Sequence, residues 1–171
     1  MSEKPVEIIG AEAIQARVRE LAAAVQRDTP AGELTVCAVM TGSLFLAADL
    51  VRYLTVPTRL VTVEATSYRG GTTPGRLVVR GIVPEKVRGH DVLLLDDIYD
   101  SGRTMEALVK RLRRRGATRV RTCVLLRKLR DDVTDCPADF VGFEIPNEFV
   151  VGYGMDYDGR YRNLPSIARI E

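Results

Sequence analysis

Residues 92–104 read VLLLDDIYDSGRT. Val92–Leu95 is continuously apolar, the pattern of a strand covered on both faces. The run ends in two carboxylates, Asp96 and Asp97, and a third, Asp100, stands four residues after the first. Ser101-Gly102-Arg103-Thr104 then leads into a segment whose Met105, Leu108, Val109 and Leu112 mark one helix face, ended by Gly116 in the usual place past a helix C-terminus. A rigid strand thus delivers acids to a sheet's carboxyl edge, and a turn of small residues opens a helix. Paired carboxylates in that position can accept hydrogen bonds from a diol or hold a hydrated Mg²⁺. The DSGRT turn offers free backbone N–H groups, the Ser101 and Thr104 hydroxyls and the helix dipole to a phosphate, and Gly102 lets the backbone come close. A diol binder joined to a phosphate cradle suits a ribose 5-phosphate group. The competing reading makes the Asp pair a polar strand end and Asp100 or Ser101 an N-cap. Three acids and a phosphate-type turn behind one apolar strand favour the ligand.

Working outward, the same alternation recurs. Ile14, Val18, Leu21 and Val25 share a helical face within 11–27, and Asp28-Thr29-Pro30 stops that helix. Residues 34–40, LTVCAVM, read as a buried strand, Thr41-Gly42-Ser43 as a turn, and 44–53 as a helix broken before Pro57. Residues 59–66, RLVTVEAT, alternate as a strand. SYRGGTTPGR, at 67–76, has three Gly and a Pro and no periodicity, the pattern of a mobile loop. Short strands follow at 77–81, 119–126, 140–145 and 149–152. Strands alternating with helices predict an α/β fold around a mostly parallel sheet, with a ligand at the carboxyl ends of the strands. No repeat or linker interrupts the chain, so residues 1–171 are expected to form one domain.

Composition excludes several classes. At 171 residues with 46% apolar and 28% charged side chains, the chain is neither disordered nor too short for a sizeable core. Aromatics are 6% and Trp is absent, which argues against an aromatic platform for sugars or single-stranded nucleic acid. A net charge of +2 does not announce a nucleic-acid partner. Cys37, Cys123 and Cys136 are far apart and odd in number, which points to reduced thiols and a cytoplasmic location. MSEKPVEIIG has no apolar leader core, and no apolar run is long enough for a membrane. The single His90 reads as a strand-entry residue and rules out a His-pair metal site. The basic run 110–115 reads as the polar face and last turn of a helix, not as an RNA site.

The segment 92–104 resembles the phosphoribosyl-pyrophosphate motif of type I phosphoribosyltransferases; no Walker loop occurs. Residues 140–157, FVGFEIPNEFVVGYGMDY, resemble the purine-binding C-terminal segment of the hypoxanthine-guanine phosphoribosyltransferases, and the resemblance spans roughly residues 5–170. It implies the type I phosphoribosyltransferase fold, with a mostly parallel central sheet flanked by helices and a small hood formed by the terminal segments. It implies a purine-salvage reaction in which phosphoribosyl pyrophosphate and a 6-oxopurine base give IMP or GMP, with Mg²⁺ as cofactor, in a homodimer or homotetramer. By the same resemblance Asp96 and Asp97 engage the ribose hydroxyls and the water shell of Mg²⁺. Asp100 acts on the ring nitrogen of the purine that attacks the anomeric carbon. Ser101, Gly102, Arg103 and Thr104 hold the 5′-phosphate. Lys128 donates to the six-oxo group, Phe149 stacks on the base, and Val150 meets the base edge through its main chain. Thr41 and Gly42 form the pyrophosphate turn, Arg162 also binds pyrophosphate, Asp156 ligates a second Mg²⁺, and Ser67 and Tyr68 open a closing loop.

Taken alone, Lys128 sits between Arg127 and Arg130 and reads as a surface lysine, Phe149 and Val150 as core, Asp156 as a turn acid and Arg162 as a surface charge. The chain departs from the family at Thr41, where the pyrophosphate turn usually carries Lys or Arg; Arg103 and Arg69 are the candidate compensating cations. Two alternatives stand beside the purine enzyme: a nucleotide-sensing RNA-binding regulator on the same fold, and a xanthine-preferring transferase. An acid at position 100, with Lys128 and the segment 140–157, favours the 6-oxopurine enzyme over the regulator and over adenine phosphoribosyltransferases.

Overall fold

A computed structural model of the chain describes residues 4–29, 32–67, 77–81 and 84–170. Its elements are β1 (Pro5–Ile9), α1 (Ala11–Asp28), β2 (Leu34–Met40), α2 (Leu44–Val51), β3 (Thr58–Ser67), β4 (Leu77–Arg80), β5 (Asp91–Tyr99), α3 (Arg103–Arg114), β6 (Arg119–Lys128), β7 (Phe140–Ile145), β8 (Val150–Val151) and β9 (Ile167–Ile170). A six-stranded sheet runs in the order β4-β3-β2-β5-β6-β7. All its pairings are parallel except that of the edge strand β4 with β3.

The period-2 alternation along the strands divides the core into two layers. Leu34, Val36 and Ala38 of β2 and Leu93 and Leu95 of β5 pack with Ile14, Val18 and Leu21 of α1 and with Leu46 and Leu50 of α2. The interleaved Cys37, Val39, Val92 and Leu94 face the opposite way, toward Met105, Leu108, Val109 and Leu112 of α3. Helices on both faces are why β2 and β5 read as unbroken apolar runs. Burial pushes the Cys37 and Cys123 thiols up to about 12, so neither is a nucleophile at neutral pH. His90 lies at the entry of β5, its Nε2 3.0 Å from Arg59 Nη1, at the sheet end away from the acids.

Several boundaries differ from the sequence reading, β6 for one running on to Lys128 and not stopping at Leu126. β5 does not stop at Leu95 but continues to Tyr99, because Ile98 and Tyr99 still pair with Leu126 and Arg127 of β6. Asp96 and Asp97 are therefore inside the strand, not beyond it. α2 ends at Val51, two residues early. The strand expected at 149–152 shrinks to Val150–Val151 and joins a separate antiparallel sheet, β1-β9-β8. β1 and β9 leave no mark in the residue pattern, being short and paired with each other from opposite ends of the chain, Pro5 opposite Ile170, with β8 on the other side of β9. This terminal sheet forms the hood. It is tied down by Asp49 of α2, whose Oδ2 accepts from Tyr153 Oη and Gln15 Nε2, each at 2.6 Å. Among the described residues no helix is long and apolar enough to cross a membrane.

Candidate active site

Renumbered by chain order, the parallel strands run 2-1-3-4-5, and the order reverses between β2 and β5. In open α/β sheets that switch point is where a crevice opens outside the carboxyl strand ends. Here it holds a cavity of about 320 Å³ lined by Asp96, Asp97, Asp100, the 101–104 turn, Gly42, Asp156 and Arg162. Ten of the sequence-predicted site residues therefore meet in one place, drawn from three separate stretches of the chain. Gly42 sits against the carboxylate of Asp97, so that a Cβ there would overlap it; a Cβ on Gly154 would in turn strike the Gly42 carbonyl. The Gly42 turn thus lies between the Asp97 carboxylate at the end of β5 and the backbone at Gly154. The Met40–Thr41 peptide, which leads into the Gly42 turn, is cis.

The turn after β5 settles the capping question. The N-cap of α3 is Gly102, in the left-handed region at φ 78°, and no side chain caps the helix. Asp100 and Ser101 do not fill that role. The first-turn N–H groups and the positive end of the α3 dipole face the cavity without a side-chain acceptor, the arrangement that binds phosphate. Glycine is required at 102 both for its positive φ and because a Cβ would collide with the Tyr99 hydroxyl beneath the turn. Thr134 N–H donates to the Ser101 carbonyl at 3.0 Å and Tyr99 Oη to the Cys136 carbonyl at 3.0 Å, so the crossover from β6 to β7 braces the turn from below.

Asp96 is buried, and its Oδ1 accepts the Asp97 N–H at 3.0 Å. Burial, and then the neighbouring charge of Asp97, hold its carboxyl well above the usual range. Asp97 is also raised, by burial, although Arg162 opposes the shift. Such a pair favours sharing a proton, or the approach of cationic or hydroxyl groups, over two bare charges. All its donors are oxygens, as Mg²⁺ requires. Because Mg²⁺ keeps several waters and binds through one or two carboxylates together with substrate phosphates, the pair fits it without an all-protein cage.

A stability prediction follows. With folded pKa values above the unfolded ones, the folded state binds more protons, so stability falls as pH rises through the carboxylate range toward the raised values. Asp96→Asn is expected to raise the ligand-free protein's unfolding free energy at neutral pH. The gain should vanish below pH ~4, where aspartate is protonated in both states. Urea denaturation at several pH values checks both the sign and the convergence.

Asp100 takes its partners from outside the turn. Its Oδ2 accepts from Lys128 Nζ at 3.1 Å, and its Oδ1 from Arg130 Nη1. Arg130 is itself held by Asp132, with Nε to Oδ1 and Nη2 to Oδ2 both at 2.7 Å. Sequence reasoning missed Arg130, which looked like one more surface charge beside Lys128; the acid at i+2 was the available signal. Lys128, the last residue of β6, is mostly buried, its side chain 12% exposed. It lines a smaller pocket of about 230 Å³ floored by Tyr99 and Thr134. Phe149, Val150 and Thr41 do not line the main cavity. Phe149 is 54% exposed, its ring meeting that of Tyr157 edge-on at 5.5 Å, and Val150 is buried at the start of β8.

On the hood side Arg162 donates to the Gly154 carbonyl at 2.5 Å and pairs with Asp156 Oδ1 at 2.6 Å. Asp156 Oδ2 accepts the Gly159 N–H at 2.8 Å, so it is a turn acid and a cavity acid at once. Arg103 lines the cavity at the site's rim. Ser67 ends β3, while Tyr68, Arg69 and the rest of the expected loop lie outside the described residues. The basic residues at 110–114 form the last turns of α3, with Lys110 paired to Glu106 at 2.6 Å.

Residues 6–158 match the phosphoribosyl transferase domain family. The hypoxanthine-guanine phosphoribosyltransferase of Mycobacterium tuberculosis is 37% identical over 172 residues, which cover 96% of this chain and 85% of that one. A crystal structure of a hypoxanthine-guanine phosphoribosyltransferase from Bacillus anthracis is 34% identical, covers 99% of this chain and 100% of that chain, and superposes with a TM-score of 0.89. A hypoxanthine phosphoribosyltransferase from Trypanosoma cruzi, complexed with the product IMP, is 31% identical, covers 99% of this chain and 91% of that chain, and gives a TM-score of 0.85.

Proposed function

The chain belongs to the phosphoribosyl transferase domain family, and from that premise we propose how its residues divide the work. It is a purine-salvage phosphoribosyltransferase of the hypoxanthine-guanine type. The alternative of an RNA-binding regulator has no support among these relatives, which are named as enzymes. The observation that carries the assignment of roles is the 3.1 Å contact between Lys128 Nζ and Asp100 Oδ2 at the rim of the cavity. N7 and the six-oxo oxygen stand side by side on one edge of a 6-oxopurine. A neighbouring carboxylate and ammonium read that edge together.

In this reading the α3 N-terminus, with Ser101, Gly102, Arg103 and Thr104, holds the 5′-phosphate, and Asp96 and Asp97 accept from the ribose hydroxyls. Thr41, Gly42 and Arg162 hold the pyrophosphate. The Phe149 ring covers the base, and the Val150 main chain meets its edge. Lys128 turns from Asp100 to the six-oxo oxygen. Asp100 then accepts the proton that the imidazole ring loses as the bond to the anomeric carbon forms. Positive charge grows on the ribose and negative charge on the leaving pyrophosphate, and Arg162, preorganised by Gly154 and Asp156, stabilises the latter. Asp156 would hold Mg²⁺ directly and Asp96 and Asp97 through water, and the ion would add to the stabilisation of the pyrophosphate charge. The 171 residues act as one domain in a cytoplasmic homodimer or homotetramer.

The test is incubation with phosphoribosyl pyrophosphate, Mg²⁺ and, separately, hypoxanthine, guanine, xanthine and adenine. IMP and GMP are expected. Adenine should fail, because its amino group would present a donor to the Lys128 ammonium. No nucleotide from any base would overturn the reading, and faster turnover of xanthine than of either expected base would redirect it.

A further inference from the structure

We propose that Arg130 is a positioning residue for Asp100, holding its carboxylate in place when Lys128 leaves it for the purine. This rests on the functional reading above. Three observations carry it. First, the two oxygens of Asp100 have separate cationic partners, Arg130 on Oδ1 and Lys128 on Oδ2. A base that loses Lys128 therefore keeps one anchor and frees the oxygen that Lys128 had occupied, on the side where the purine edge arrives. Second, Arg130 is fixed independently of Asp100. Asp132 takes its Nε and Nη2 in a two-bond fork, the geometry that fixes a guanidinium in plane and direction. Third, the strap that carries Arg130 and Asp132 is stitched to the phosphate turn by the Thr134 N–H on the Ser101 carbonyl and by the Tyr99 hydroxyl on the Cys136 carbonyl. Arg130 thus belongs to the same rigid unit as the turn whose first residue it steers. Asp100 itself is half-exposed at 45%, and without the guanidinium its side chain would have solvent-facing rotamers available once Lys128 moved.

Arg130 touches neither the reacting atoms nor the sugar in this arrangement, so its loss should fall on turnover and not on binding of phosphoribosyl pyrophosphate. The experiment compares the full-length wild type with Arg130→Ala, Arg130→Lys and Asp132→Asn. It measures kcat and both KM values with hypoxanthine, and thermal melting monitors folding. Arg130→Ala is expected to lower kcat about tenfold, a fraction of what a misplaced general base can cost. KM for phosphoribosyl pyrophosphate should stay within about twofold, since its ligands are elsewhere. Arg130→Lys should recover most of the loss by restoring a cation at Oδ1, and Asp132→Asn, which loosens the fork without removing the cation, should give a smaller loss of the same kind. Wild-type kcat in Arg130→Ala overturns the inference alone. So does a joint loss of kcat and phosphoribosyl pyrophosphate affinity that Arg130→Lys does not relieve, which is what a merely structural strap would give. If Arg130→Ala does not fold, the Arg130→Lys and Asp132→Asn pair decides: unchanged kcat in Asp132→Asn overturns the inference. A wild type that makes no nucleotide overturns the functional reading and this inference with it.

Discussion

Asp100→Asn is expected to lower kcat by about 10²–10⁴-fold, the span that a positioned general base contributes, while the affinity for product nucleotide changes only a few-fold. The asymmetry follows from what asparagine keeps. It has the same volume and an acceptor oxygen, so contact with the strap and with the base edge survives in outline. It cannot take the proton from the imidazole ring, and it removes the charge that both Lys128 and Arg130 are paired with. The fold should not suffer, because Asp100 does not cap α3, whose N-cap is Gly102 with no side-chain bond, and because the side chain is 45% exposed. Single-turnover kinetics and calorimetric titration of IMP separate the two effects. Equal losses in turnover and in IMP affinity would make Asp100 a structural residue.

The legibility of this protein follows from which interactions are local. The strand–turn–helix unit at 92–104 could be read because its signals are adjacent in sequence: an apolar run, acids at its end and small residues before a helix stripe. β2 was read to the residue for the same reason, LTVCAVM being buried along nearly its whole length. Asp96 and Asp97 look like the end of β5 in the sequence; only the pairing of Ile98 and Tyr99 with β6 keeps the ladder going past them. The hood illustrates the limit more sharply. β1 and β9 are five and four residues long, and they pair with each other across more than 150 residues of chain. No local pattern encodes that. The site divides in the same way. Asp96, Asp97 and the turn were legible as chemistry, whereas Lys128, Phe149 and Arg162 could be picked out only by family resemblance, since each alone reads as surface or core. Arg130 escaped both routes. It owes its place to the bend of the chain after β6, which carries it back across Asp100, and a run of charges in LRKLRDD does not reveal which of them turns inward.

Lys128→Ala carries the second large effect. Removing the charged donor of a hydrogen bond to the bound base costs about 1.5–3 kcal/mol. With tenfold per 1.4 kcal/mol, kcat/KM for hypoxanthine should fall by about 10–10²-fold. Two contributions are mixed in that figure, because Lys128 both reads the six-oxo oxygen and pairs with Asp100 before the base arrives. Adenine separates them. An alanine at 128 no longer sets an ammonium against the adenine amino group, so one penalty on adenine disappears, while any disturbance of Asp100 affects both bases alike. If Lys128 reads the base, discrimination between hypoxanthine and adenine should therefore narrow. If it serves only to hold Asp100, the two rates should fall in parallel and discrimination should stay where it was. The Arg130 anchor on Oδ1 predicts the first outcome, since Asp100 in the Lys128→Ala protein still has a cation fixing it. Measuring kcat/KM for both bases on the variant and the wild type decides between them. Parallel loss would move Lys128 from base recognition to support of Asp100.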